Sequence, residues 1–194
     1  MAVVLGLGNP GARYARTRHN AGARVVEALV GRWTARPAGA APEYRAWEAE
    51  HAGRAVGLLV ARTHMNESGR ALAAFRERHP FEPADLLVVT DDVYLPLGMV
   101  RLRARGSSGG HRGLASVEEA LGSRDWARLR VGVGVVAAEA LGDHVLEEFG
   151  EEEVAQADEA IQKAADAVEC WAFEGLLAAM NRFNRRVQKE VPES

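Results

Sequence analysis

One cysteine and two lysines stand in a chain of 194 residues. The lone cysteine, Cys170, excludes an internal disulfide, so a packed core must supply the stability, and it fits a reducing compartment. Its helical surroundings place it on a buried face and not at a reactive site. With lysine confined to Lys163 and Lys189, nearly all positive charge is carried by arginine. Neither sign of charge is in large excess. The formal charge of -3 excludes a uniformly basic nucleic-acid binder and leaves only a local basic face open. No apolar run reaches the roughly 20 residues of a membrane-spanning helix, and no signal or transit pattern opens the sequence, so a cytoplasmic protein with no membrane contact is expected. Internal repeats, low-complexity tracts and long linkers are also missing. What remains, 47% hydrophobic and 26% charged residues, is the composition of one globular domain with a single sizeable core.

Residues 2–6 (AVVLG) form an apolar run that predicts a buried strand. Val25, Val26, Leu29 and Val30 repeat at helical spacing and predict a helix over 21–33. The Gly, Pro and Ala residues of 35–42 predict a loop, and EYRAWEAE with RAVGLLVAR predicts a hairpin. Asn66 is placed to cap a helix carrying Leu72 and Phe75 and ending near His79-Pro80. ADLLVVTDD predicts a second buried strand running into two acids. GMVRLRAR alternates, which puts Arg101 and Arg103 on one face of a strand. A Gly/Ser-rich loop over 106–113 precedes a helix over 114–121 and a strand in WARLRVGVGVV. Val154, Ala157, Ile161, Ala164, Ala165 and Val168 then mark a long helix, with a second over 173–187. Strands alternating with helices predict a single α/β domain over 1–194. Its sheet is mixed because of the hairpin, twisted, and flanked by helices in three layers, with 187–194 as a disordered tail.

GLGNPG at 6–11 matches G-x-G-x-x-G, the turn of dinucleotide-binding folds. Its context is wrong for that use. The third glycine should open a helix facing a pyrophosphate, yet no apolar helical face follows until about residue 21, and the next strand belongs to a hairpin. The glycines instead let a strand end in a tight loop that presents Asn9. Other polar residues fall at similar places: His19 with Asn20, Asn66, and Asp91 with Asp92. A histidine can act as general base near neutral pH, an aspartate can fix its tautomer, and side-chain amides can hold a carbonyl or an oxyanion. Equally, a histidine near a helix start can be structural and acids at strand ends can be caps.

The motifs themselves say more. GLGNPGARYARTRHNAG resembles the N-terminal signature of bacterial-type peptidyl-tRNA hydrolases, THMNESGRAL their second signature, and VTDDVYLPLGMVRLRARGSSGGHRGLASVEEALGSRDWARLRVGVG their long third block. EGLLAAMNRFN is similar to their C-terminal helix, and the four segments occur in order over nearly the whole chain. The resemblance implies hydrolysis of the ester between a peptide and the 3′-terminal ribose of tRNA, which releases stalled peptides and recycles the tRNA in translation. His19 then matches the base that activates water, and Asp91 its orienter. Asn9 and Asn66 match the amides that hold the ester, while Tyr14, Met65, His111 and Arg112 fall in the same cleft. No metal, cofactor, nucleophilic Ser or Cys, or protein partner is required, and a monomer is expected. The histidines other than His19 show no metal-ligand spacing.

The tRNA must also be gripped. Residues 98–130 hold seven arginines (101, 103, 105, 112, 124, 128 and 130) against three acids, whereas 139–169 is almost wholly acidic, so a basic and an acidic face are expected. Arg103 and Arg130 match the family's clamp on a tRNA phosphate, a task suited to the guanidinium fork. Arg182, Arg185, Arg186 and Lys189 read as a solvated helix end. The chain departs from the family pattern at Arg112, usually Asn, at Tyr94, often an acid, at Thr90, often His, and at Val135-Val136, usually Arg-Pro. Arg112 cannot accept a hydrogen bond, and it is the one feature that favours the alternative of a family-derived RNA-binding protein without catalysis. Retention of Asn9, His19, Asn66 and Asp91 together argues against that alternative.

Overall fold

AVVLG has no polar side chain and no alternation, so it suits a strand covered on both faces. In the computed structural model, which describes residues 1–51 and 53–184, it is the central strand β1 (Ala2–Gly6). The hairpin strands β3 (Tyr44–His51) and β4 (Arg54–Ala61) lie to one side of it, and β5 (Leu86–Asp92) lies to the other. β7 (Ala127–Gly132) continues the sheet beyond β5, with β6 (Val100–Arg103) at that edge and β2 (Arg36–Ala41) at the opposite one, giving the order β2-β3-β4-β1-β5-β7-β6. Pairings among β4, β1, β5 and β7 are parallel, and the two flanks are antiparallel, so the sheet is mixed as the hairpin required.

Period-two geometry divides the apolar residues between two cores. Val4, Leu58, Val89 and Leu129 face α1 (Ala21–Arg32), α5 (Val154–Glu174) and α6 (Leu176–Phe183). Val3, Leu5, Leu59 and Val88 face α2 (Ser68–Arg78) and α3 (Arg112–Leu121). The result is three layers. Among the described residues no helix is long and apolar enough to cross a membrane.

Several expectations shift. The segment expected as a loop over 35–42 contains β2, an edge strand whose register breaks between Pro37 and Gly39. An edge strand tolerates the proline that a central one would not. Asn66 does not cap α2. It sits in a one-turn 3-10 segment, Met65–Glu67, and α2 starts after Glu67 with no side-chain cap. α3 begins at Arg112 because His111 caps it, and β7 ends at Gly132, opposite the end of β5. Gly175, with φ of 95°, separates α5 from α6, where one helix from 173 was expected. A short helix, α4 (Leu141–Leu146), was not signalled by any apolar period. Arg182 pairs with Glu174; Arg185, Arg186, Lys189 and the tail 187–194 lie outside the described residues.

The glycines bring helix and sheet together. A Cβ on Gly6 would collide with the Gly22 carbonyl, and one on Gly22 with the Val89 carbonyl, so α1 begins in backbone contact with β1 and β5. At an open helix position Gly→Ala would stabilise by about 1 kcal/mol. Here the collision reverses the sign, and Gly22→Ala should lose about 1–3 kcal/mol. Urea unfolding checks it; an unchanged or raised midpoint would show that the contact can relax.

Candidate active site

The parallel strands deliver their C-terminal ends to one cleft. After β1 the backbone stays on the sheet for one more residue, with Leu7 N–H donating to Val89 O at 3.0 Å and Leu7 O accepting from Ala23 N–H at 2.9 Å. Asn9 then turns out into the cleft and is held twice by Asn20. Its N–H donates to Asn20 Oδ1 at 2.8 Å, and Asn20 Nδ2 donates to its carbonyl at 3.0 Å. Asn9 Oδ1 accepts the Met65 N–H at 2.9 Å. Because that partner can only donate, the free end of the Asn9 amide is its NH2 group, a pair of donors.

β5 ends in Thr90, Asp91 and Asp92, all buried. His19, in the 3-10 turn Arg18–Asn20, places Nδ1 at 2.9 and 3.0 Å from the two Asp91 oxygens. His111 places Nε2 2.9 Å from Asp91 Oδ1 and 2.7 Å from Thr90 Oγ1. The other His111 nitrogen, Nδ1, accepts the N–H groups of Gly113 and Leu114 at 3.1 and 3.3 Å as the cap of α3. That cap fixes the tautomer: Nδ1 carries no proton, so Nε2–H donates to Asp91 and to Thr90. Asp91 therefore accepts from both rings, and His19 is held with Nδ1–H toward the carboxylate and Nε2 free as an acceptor. Burial alone would raise the Asp91 carboxyl, but the two imidazoles outweigh it by charge and hydrogen bonding and hold it below its ordinary 3.8. A carboxyl depressed on folding contributes stability that is complete above that ordinary value and is lost as the pH falls below it.

His19, Asp91 and His111 also place one ligand atom each within 4.8 Å of one another, a grouping that sequence spacing did not reveal. It is a poor metal site. A metal on His111 Nε2 would require a proton on Nδ1, where two backbone N–H groups already point.

The cavity in front of this group measures about 580 Å³. Asn9, His19, Asn66, His111 and Arg112 line it, and Tyr14 and the buried Met65 complete its wall. Asn66 is exposed there, free of any helix cap. Arg112 is exposed at the first turn of α3. The structure thus gathers all the residues expected in the cleft.

The arginines are less uniform than their count suggests. Arg101 lies opposite Arg130 and Arg103 opposite Arg128, which puts all four on one face of the β6–β7 edge. Arg103 is exposed. Arg130 lines the cavity but is engaged, with Nη1 3.2 Å from Asp92 Oδ2 and Nη2 3.3 Å from Ser107 O. Arg128 corrects the expected basic face, because it is 1% exposed. It stacks 3.8 Å from the centre of the Trp126 ring and donates to the carbonyls of Gly106 and Ser107 at 2.6 and 3.1 Å. Burial, then the neighbouring Arg130, pulls it down to about 10, so it is still charged at neutral pH. Arg124 is bound to Glu118.

The family model of peptidyl-tRNA hydrolase matches residues 3–191. The chain belongs to that family. It is 46% identical over 186 residues to the peptidyl-tRNA hydrolase of Roseiflexus castenholzii, covering 95% of this chain and 87% of that one. It is 40% identical over 185 residues to that of Rhodopirellula baltica, covering 95% and 97%. The crystal structure of the peptidyl-tRNA hydrolase from Acinetobacter baumannii superposes with a TM-score of 0.88 at 32% identity, over 95% of this chain and 94% of that one.

Several residues that shape this peptidyl-tRNA hydrolase cleft were not predicted to do so. Asn20 appeared only as a polar neighbour of His19, yet it is the clamp on Asn9. Thr90, noted as a departure, supports His111. Arg18 is buried and donates to Glu148 O and Glu153 Oε2, both at 2.6 Å, which pins the turn carrying His19 to the segment before α5. Of the three, only Arg18 carried a usable signal, a charge beside a proposed catalytic residue. Its acidic partner lies 135 positions away.

Proposed function

We propose that this chain hydrolyses the ester between a peptide and the 3′-terminal ribose of tRNA by a water activated at His19. The observation that carries the mechanism is the His19–Asp91–His111 arrangement, which leaves His19 Nε2 as a free acceptor beside the cavity. Nε2 takes a proton from water as its oxygen bonds to the ester carbonyl carbon. The amide groups of Asn9 and Asn66 donate to the resulting oxyanion. Asp91 stabilises the imidazolium. The carbon–oxygen bond to the ribose then breaks and the imidazolium returns its proton to the ribose oxygen, giving a free peptide acid and a 3′-hydroxyl. Neither a metal nor a nucleophilic side chain is needed in these steps. A monomer in the cytoplasm, with no obligate protein partner, fits this role and a single buried cysteine.

Release of labelled N-acetyl-aminoacyl groups from tRNA in the presence of chelator tests the activity. Tight tRNA binding with no release would instead establish the RNA-binding alternative.

Arg103 and Arg130 supply the phosphate contact in this reading. A phosphate would draw Arg130 Nη1 from Asp92 while Arg103 approaches from the neighbouring strand. The Arg103→Ala, Arg130→Ala double variant should raise KM for intact tRNA and flatten the salt slope of log affinity by about one unit. It should leave short acceptor-end substrates nearly unaffected. Equal losses on short and intact substrates would remove these arginines from that role.

A further inference from the structure

Tyr94 is the most exposed aromatic side chain near the cleft, at 64%, and its ring lines the cavity. The turn that carries it is not loose. The Tyr94 N–H donates to Asp92 Oδ1 at 2.8 Å, and the Leu95 N–H reaches Asp92 O at 3.4 Å. Among the described residues its phenol oxygen has no partner, its ring stacks on no other ring, and no cation lies over it. An aromatic face held rigidly in water gains nothing for the fold, since burial is what aromatics contribute. Leu141, Val145 and Leu146 of α4 add apolar surface to the same cavity, and Leu146 is itself 48% exposed.

We infer that Tyr94 is a stacking platform for the 3′-terminal nucleobase of the substrate. The inference rests on the proposed ester hydrolysis, because the ribose that bears the ester also bears that base. A base attached to a ribose held at His19 lies within one nucleoside of Asp91, and Tyr94 is fixed three residues further along the chain. Unpaired bases are commonly held by stacking on Tyr, Phe or Trp. Asp92 links the two contacts with nucleic acid, since one oxygen holds the Tyr94 turn and the other holds Arg130.

The test uses Tyr94→Ala and Tyr94→Phe in the full chain. Tyr94→Ala should raise KM for N-acetyl-aminoacyl-tRNA about tenfold, the scale of one base–aromatic stack, with kcat within twofold. Tyr94→Phe keeps the ring and should match wild type. In a separate titration, a short non-hydrolysable acceptor-end RNA carrying 2-aminopurine as its last base should be quenched on binding wild type and Tyr94→Phe, and not Tyr94→Ala. Equal KM values for wild type and Tyr94→Ala, or a Tyr94→Phe variant as impaired as Tyr94→Ala, would overturn the stacking role. If wild type released no peptide the hydrolase reading would fail by itself, and the quenching titration would still decide whether Tyr94 stacks.

Discussion

His19→Ala is expected to lower kcat by about 10²–10⁴-fold, the range of a lost general base, with affinity for tRNA nearly unchanged. The separation follows from geometry. His19 bonds to Asp91, whereas Arg130 is held by Asp92 and Ser107 and Arg103 is exposed on β6, and none of these contacts uses His19. Side-chain loss at His19 also leaves the Asn9–Asn20 clamp intact, because that clamp uses Asn20 and the backbone of Asn9. Single-turnover release and equilibrium binding, measured on the same preparation, check both halves. Near-wild-type turnover would refute the water-activation mechanism outright.

Asp91→Asn should be nearly as damaging, although it changes one atom's identity and no volume. His111 must keep Nε2–H as its donor, because the α3 cap occupies Nδ1. The asparagine oxygen therefore goes to the Oδ1 position, where His111 donates. Its NH2 group then falls at Oδ2, 3.0 Å from His19 Nδ1 in the parent. That NH2 group faces the His19 Nδ1–H, which keeps only the oxygen at the Oδ1 position, 2.9 Å away, and the carboxylate charge that stabilises the imidazolium is gone. A fall in kcat of about 10²-fold or more is expected, with a folded protein by circular dichroism. Retention of full activity would mean that the Asp91 charge does not stabilise the imidazolium.

Sequence pattern reaches the sheet well and the cleft unevenly, for physical reasons. β1 and β5 are legible because strands buried on both faces must be apolar throughout. β2 was hidden because an edge strand can hold Pro37 and Gly39, which otherwise mark loops. α4 was hidden because six residues are too few to display a helical period. The fold family and the residues of the cleft were legible through the motif resemblance, which the matched family then bore out for the family. Spacing by itself could not say that Asn20 serves Asn9, that His111 shares Asp91 with His19, or that Arg128 is buried under a glycine loop. Each of those relations joins positions 11 or more apart in the chain, beyond the reach of a strand or helix period, and only the folded backbone brings them together.

The cap on α3 has a consequence for when the molecule can work at all. Asn9, His19, Asp91 and His111 come from the ends of separate segments, and each is held by a group from another: Asn9 by Asn20 and Met65, His19 by Asp91, and Asp91 by His111. His111 in turn is oriented by the first amides of a helix that must already be wound. A growing chain that has emerged only through its first half carries the signature residues and no working centre. Under the proposed mechanism competence waits on His111 and α3, so a chain ending before them is expected to be inactive toward such esters.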